Sequence, residues 1–102
     1  MNNKQYLLIN FSNYVNDDVD YILASDNLEA LKTERNKLAH EHEEEFKEYK
    51  DAEDSDTRQL ADPNVFIVLI DMKNEEVIHG NYTFESYHEV VEANLDMIED
   101  FE

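Results

Sequence analysis

Apolar residues alternate at the start of the chain. In "QYLLINF" (residues 5–11), Leu7, Ile9 and Phe11 fall on one face, the period of a half-buried strand. "VDYILA", from Val19 to Ala24, reads as a second strand, with a turn around Val15 and Asn16 between them. Ser25 or Asp26 is placed to cap a helix running from Asp26 to about Ala52. "NVFIVLID" (residues 64–71) is β-branched and apolar on both faces, as a central strand would be. "KNEEVIHGNY" supplies a turn at Lys73–Asn74 and a fourth strand, and Thr83 caps a second helix that reaches the last residues.

These elements predict one α+β domain over residues 1–102 in the order ββαββα. The sheet should have four mainly antiparallel strands with two helices. A first ββα unit spans about 5–52, an acidic connection about 53–63, and a second unit about 64–102. The units match without gaps at an offset of 58, with "NDDV" falling on "NEEV" and Ser25 on Thr83. Internal ββα duplication and chance similarity of turns and caps both explain this match.

The second helix is amphipathic. At 100° per residue Phe84, Tyr87, Val91, Leu95, Ile98 and Phe101 form its apolar face, and Glu85, Glu89, Glu92, Asp96 and Glu99 the opposite stripe. The first helix carries Leu28, Leu31, Leu38, Phe46 and Tyr49 on one stripe, interrupted by Arg35 and His42. Residues 26–52 would make a helix of roughly 40 Å, against about 27 Å for the second. The surplus should project, bend back or meet another subunit. Both helices are expected on the sheet face of Leu7, Ile9, Phe11, Val65, Ile67 and Leu69. That would leave Tyr6, Leu8, Ile22, Phe66, Val68 and Ile70 as an apolar patch large enough for a two-fold dimer. Phe46 and Tyr49 are the second candidate contact. The alternative is one helix per face and a monomer.

Charge changes this picture. The chain has 26 acids against 8 bases, a formal charge of −18, yet 41% hydrophobic residues, too many for a disordered acidic tail. Nine acids and three bases lie between His40 and Arg58 in "HEHEEEFKEYKDAEDSDTR". Such a chain should repel nucleic acid and anionic membrane and attract cationic partners. The bases, from Lys4 to Lys73, are scattered and make no phosphate-binding patch. There is no cysteine, and "MNNKQYLLIN" carries no long apolar run or cleavage signal, so a cytoplasmic location is the simplest expectation.

Catalytic and metal motifs are missing from the sequence. No Walker A or G-x-S-x-G pattern occurs, and the serines have no motif context. His40 and His42 point in different directions on a helix, and His40 with Glu44 is the one helix-compatible pair involving His40. His79 and His88 read as structural. No catalytic residue, metal or cofactor is expected.

The remaining active reading is that rows of carboxylates occupy a basic groove in place of phosphates. The Glu85–Glu99 stripe alone has one acid per about 5.3 Å of helix axis. A DNA strand has about one charge per 3.4 Å, so a second acidic row is needed. Residues 40–56 supply it, through Glu41, Glu43, Glu44, Glu45, Glu48, Asp51, Glu53 and Asp54. In "HEHEEEFKEYKDAEDSD" and "FESYHEVVEANLDMIEDFE" the chain resembles small acidic phage-encoded DNA-mimic inhibitors of the anti-CRISPR and anti-restriction type. The resemblance lies in size, acidity and acid-faced helices, with no family motif. It implies a non-enzymatic protein of the host cell cytoplasm. Its partner would be a basic nucleic-acid-binding protein: a nuclease, a restriction or CRISPR effector, or a repair enzyme. The competing reading is a small assembly protein that dimerises through the apolar sheet face or the long first helix.

Overall fold

The computed structural model describes residues 4–13 and 18–101; the expected turn at Val15 and Asn16 lies outside them. Strands β1 (Tyr6–Asn13) and β2 (Asp18–Ser25) pair antiparallel, and helix α1 (Leu28–Glu45) follows. Short helices α2 (Ser55–Gln59) and α3 (Pro63–Phe66) lead into β3 (Ile67–Asp71) and β4 (Glu76–His79). Helix α4 (Phe84–Ala93) and a short strand β5 (Ile98–Asp100) complete the order. The sheet runs β4–β3–β1–β2–β5, antiparallel except where β5 lies parallel to β2. The α+β class holds, but among the described residues the sheet has five strands rather than four, and there are four α-helices rather than two. Among the described residues no helix is long and apolar enough to cross a membrane.

The ladders decide the faces, because directly opposed residues share one. Leu7 stands opposite Ile70, Ile9 opposite Val68 and Ile22, and Phe11 opposite Val19. With Ala24 they pack against Tyr87 and Val91 of α4. Leu8 stands opposite Leu23 and Leu69, and this face packs against Leu31 and Ala39 of α1. One helix therefore covers each face, and both helices do not share one as expected. Val65, Ile67 and Leu69 do not share a face with Leu7, Ile9 and Phe11. Asp62 caps α3 with Pro63 in its first turn, so Val65 is helical. In β3 the pairing then sets Ile70, not Leu69, beside Leu7, and a one-residue slip exchanges the faces.

The patch expected to dimerise does not exist. Leu8, Ile22, Val68 and Ile70 are fully buried within one chain, and they divide between the two faces. Tyr6 and Phe66 are half-buried. Phe46 and Tyr49, also half-buried, pack on each other with ring centres 6.0 Å apart. The two ββα units do not form a symmetric repeat. β1 and β3 are antiparallel neighbours, so two copies of one ββα unit would be related by a two-fold axis normal to the sheet. Both helices would then lie on one face. Here they lie on opposite faces, and the two units have opposite hands. The caps do not coincide at an offset of 58 either, since Asn27, rather than Ser25 or Asp26, caps α1, while Thr83 caps α4 as expected.

The surplus of the first helix bends back. α1 ends at Glu45 instead of near Ala52, and a 3-10 turn (Lys47–Tyr49) follows. The two polar residues that interrupt the apolar stripe hold this return. Arg35, 7% exposed, donates from Nε to the Ile67 carbonyl at 3.3 Å and from Nη2 to Asn64 Oδ1. Burial lowers its pKa, and the Asp62 and Glu43 carboxylates oppose the change. His42 Nε2 lies 2.7 Å from the Leu60 carbonyl, and its ring packs between Phe46 and Phe66. Buried polar groups that find such partners contribute to a unique arrangement; left alone, they would destabilise it.

The second helix is also shorter than its pattern. α4 stops at Ala93, where Asn94 donates its Nδ2 to the Val90 carbonyl at 2.8 Å. The chain then enters a 3-10 turn (Leu95–Met97) and pairs with β2, with Ile98 opposite Ile22 and the Phe101 N–H on the Ala24 carbonyl at 2.7 Å. The turn between β3 and β4 is organised by buried Asp71. It accepts from the backbone N–H groups of Lys73 and Asn74 and from the side chains of Asn74 and Gln5. Burial pushes this carboxyl up, but those hydrogen bonds outweigh burial and hold it below its ordinary value.

Candidate partner-binding surface

All thirteen acids singled out from the sequence are exposed: Glu41, Glu43, Glu44, Glu45, Glu48, Asp51, Glu53, Asp54, Glu85, Glu89, Glu92, Asp96 and Glu99. The fold groups them differently from two parallel helical rows. α1 and α4 lie on opposite faces of the sheet, so their acids cannot stand side by side. Glu85, Glu89 and Glu92 share the outer face of α4, and Asp96 follows in the 3-10 turn. Glu99 leaves that stripe altogether. It lies on β5 opposite Leu23, on the α1 side of the sheet.

α1 has two flanks of unlike charge. With Leu31, Arg35 and Ala39 turned inward, 100° per residue sends Glu34, Glu41 and Glu45 to one side and Lys32 and Glu43 to the other. The Tyr21 phenol of β2 reports the first side. Burial raises its pKa, the hydrogen bond from Asn10 Nδ2 at 2.9 Å opposes the rise, and the Glu34, Asp20 and Glu41 carboxylates add to it. His79 of β4 reports the second side, because burial lowers its pKa and the Arg35 and Lys32 charges lower it further. Glu34, Glu41 and Glu45 of α1 thus face the β2–β5 side, and Lys32 faces β4 together with Glu43.

The run from His40 to Arg58 is divided by the same geometry. Glu43 and Glu44 line a hollow of about 400 Å³ together with Lys47, Lys50 and Arg58. Lys47 Nζ lies 4.0 Å from Glu44, and Arg58 Nη1 donates to the carbonyls of Ala52 and Glu53 at 2.8 and 3.0 Å. Asp54 is occupied as the cap of α2, accepting from Asp56 N and Thr57 Oγ1. These residues form a mixed surface, not a row of uncompensated charge.

A further acidic border joins Glu41, Glu45 and Glu99 to residues the sequence reading did not single out: Asp18, Asp20, Glu34 and Asp100. β5 covers only Ile22–Ala24 of β2. Asp18 and Asp20 of β2 are exposed beyond it, and Glu99 and Asp100 are exposed on β5 itself. Along this edge β2, β5 and the flank of Glu34, Glu41 and Glu45 bring carboxylates from both ends of the chain to one side of the molecule. The signal lay in "NDDVDY", where acids alternate with apolar residues, but its position on the open edge depends on strand order. Charged edge strands also discourage pairing with other sheets.

The histidines take structural positions. His88 stacks on Phe84 with ring centres 5.7 Å apart, and its Nε2 is 3.3 Å from Glu92. His40 is exposed on the helix surface. Among the described residues no three His, Asp or Glu side chains are grouped to hold a metal ion. No family model matches this chain, and neither the curated proteins nor the solved structures compared with it give a match.

Proposed function

We propose that this chain is a non-enzymatic acidic inhibitor. It would bind the basic nucleic-acid-binding surface of a host defence or DNA-processing protein and act there by DNA mimicry. The density of exposed charge carries this reading. The molecule measures 42 × 24 × 22 Å and carries a net charge of −18. That is one negative charge per about 2.3 Å of its long axis, close to the roughly 1.7 Å of duplex DNA. Two separate acidic helices did not reach this density. The β2–β5 edge (Asp18, Asp20, Glu99, Asp100), the flank of Glu34, Glu41 and Glu45, and the α4 stripe with Asp96 supply eleven of the carboxylates, one per about 3.8 Å of the long axis, near the roughly 3.4 Å of a single DNA strand, and they lie on several sides of the body. A basic groove that accepts a duplex would meet carboxylates along most of such a rod.

Capture from a bacterial lysate cleared of nucleic acid tests the reading. Proteins retained by the immobilised chain should be basic nucleic-acid binders, and they should elute steeply with rising salt as Coulomb attraction is screened. Retention only of neutral or acidic proteins, or elution insensitive to salt, would remove the proposal.

A further inference from the structure

Charge alone would hold any basic surface, so a selective inhibitor needs a contact that DNA does not offer. An open groove of about 790 Å³ lies where the C-terminal end of α4 passes over one end of the sheet. Leu7, Met72, Val91 and Ile98 supply its apolar floor. Leu95 borders it at 43% exposure, one of two large apolar side chains so exposed among the described residues. Glu92 and Asp96 stand at the α4 side, beside the negative end of the helix dipole. On the sheet side Lys4 is held 3.8 Å from Asp26, and Lys73 stands near it. The α4 rim therefore favours a cation beside an apolar floor.

We propose that this groove receives an apolar side chain of the basic partner, on a segment where Lys or Arg flanks it. The anchor fills the floor, and the adjacent base meets Glu92 and Asp96. This rests on the reading of the chain as a binder of a basic surface, and it assigns the part of recognition that salt does not screen. A second copy of the chain is a poor occupant, because it brings a further net charge of −18 to the same place. Burying one aliphatic side chain in such a floor is expected to tighten binding about tenfold or more.

Two synthetic peptides of equal charge test this on the full chain. Each has Lys and Arg on both sides of one central residue, leucine in the first and serine in the second. The leucine peptide should bind at least about tenfold tighter, and the ratio should persist in high salt while both affinities fall. Amide shifts on adding it should centre on Met72, Val91 and Leu95. L95S, a change at an exposed side chain, should abolish the preference and leave the serine peptide's affinity unchanged. Equal binding of the two peptides would overturn the groove while leaving the acidic surface standing. A preference that survives L95S, or shifts centred elsewhere, would also overturn it. Binding of neither peptide at low salt would remove both the groove and the proposed function.

Discussion

Replacing Tyr87 by alanine is expected to cost about 3–5 kcal/mol of stability, the range for removing a buried aromatic side chain. Its ring is 3% exposed and sits between Phe11 and Tyr82, with ring centres 6.4 and 6.2 Å away. It is the main anchor of α4 on its sheet face. Its hydroxyl oxygen accepts the backbone N–H groups of Asn81 and Tyr82 at 3.0 and 3.1 Å, fixing the loop that leads into the helix. Tyr87→Phe keeps the ring and should cost only about 1 kcal/mol. The chain's one glycine serves the same contact. A Cβ on Gly80 would lie 2.8 Å from the Tyr87 hydroxyl and 2.9 Å from its Cε2. Gly80→Ala should therefore cost about 1–3 kcal/mol, since a packed ring yields only with strain. Urea unfolding measures all three. A cost below about 1 kcal/mol for Tyr87→Ala would mean that α4 does not dock as described.

Much of this architecture was legible along the chain. The strands around Leu7, Ile22 and Val68, the turn at Lys73–Asn74 and the cap at Thr83 all follow from local pattern. The covering of both sheet faces was only the alternative to the expected arrangement, although the apolar character of both sides of "NVFIVLID" is consistent with it. What failed was decided by distant partners. Leu95, Ile98 and Phe101 fit a helical period, but Ile98 pairs with Ile22 and draws the segment into the sheet. A bulge in β2 sets Val19, rather than Asp20, opposite Phe11, so simple alternation misplaces its faces. Arg35 and His42 look like flaws in an apolar stripe until residues 60–67 return to meet them. The exposure of the thirteen acids was readable from the sequence, but their grouping was not. Glu99 joins the edge of Asp18, Asp20 and Asp100 only because β5 lies beside β2.

That grouping gives the second large effect. Converting Asp20, Glu34, Glu41, Glu45 and Glu99 together to their amides should weaken binding to a basic partner by about tenfold to a thousandfold. Exposed charge pairs are individually weak, and distributed ones add up. The slope of log Kd against log salt should flatten in the same variant. Thermal stability should hold or rise, because like charges on neighbouring elements no longer repel. Amides at Glu85, Glu89, Glu92 and Asp96 test the α4 side in the same way. If both variants bind as the parent does, the acidity serves only solubility.

Competition with DNA tests mimicry most directly. A partner captured by the chain is held at fixed concentration, and the Kd of the chain for it is measured as a short DNA duplex is added. Occupation of one shared groove predicts mutual exclusion. The apparent Kd should rise in proportion to duplex concentration, with no species containing all three components. A stable ternary complex, with chain and duplex bound to the partner together at undiminished affinity, would contradict the account.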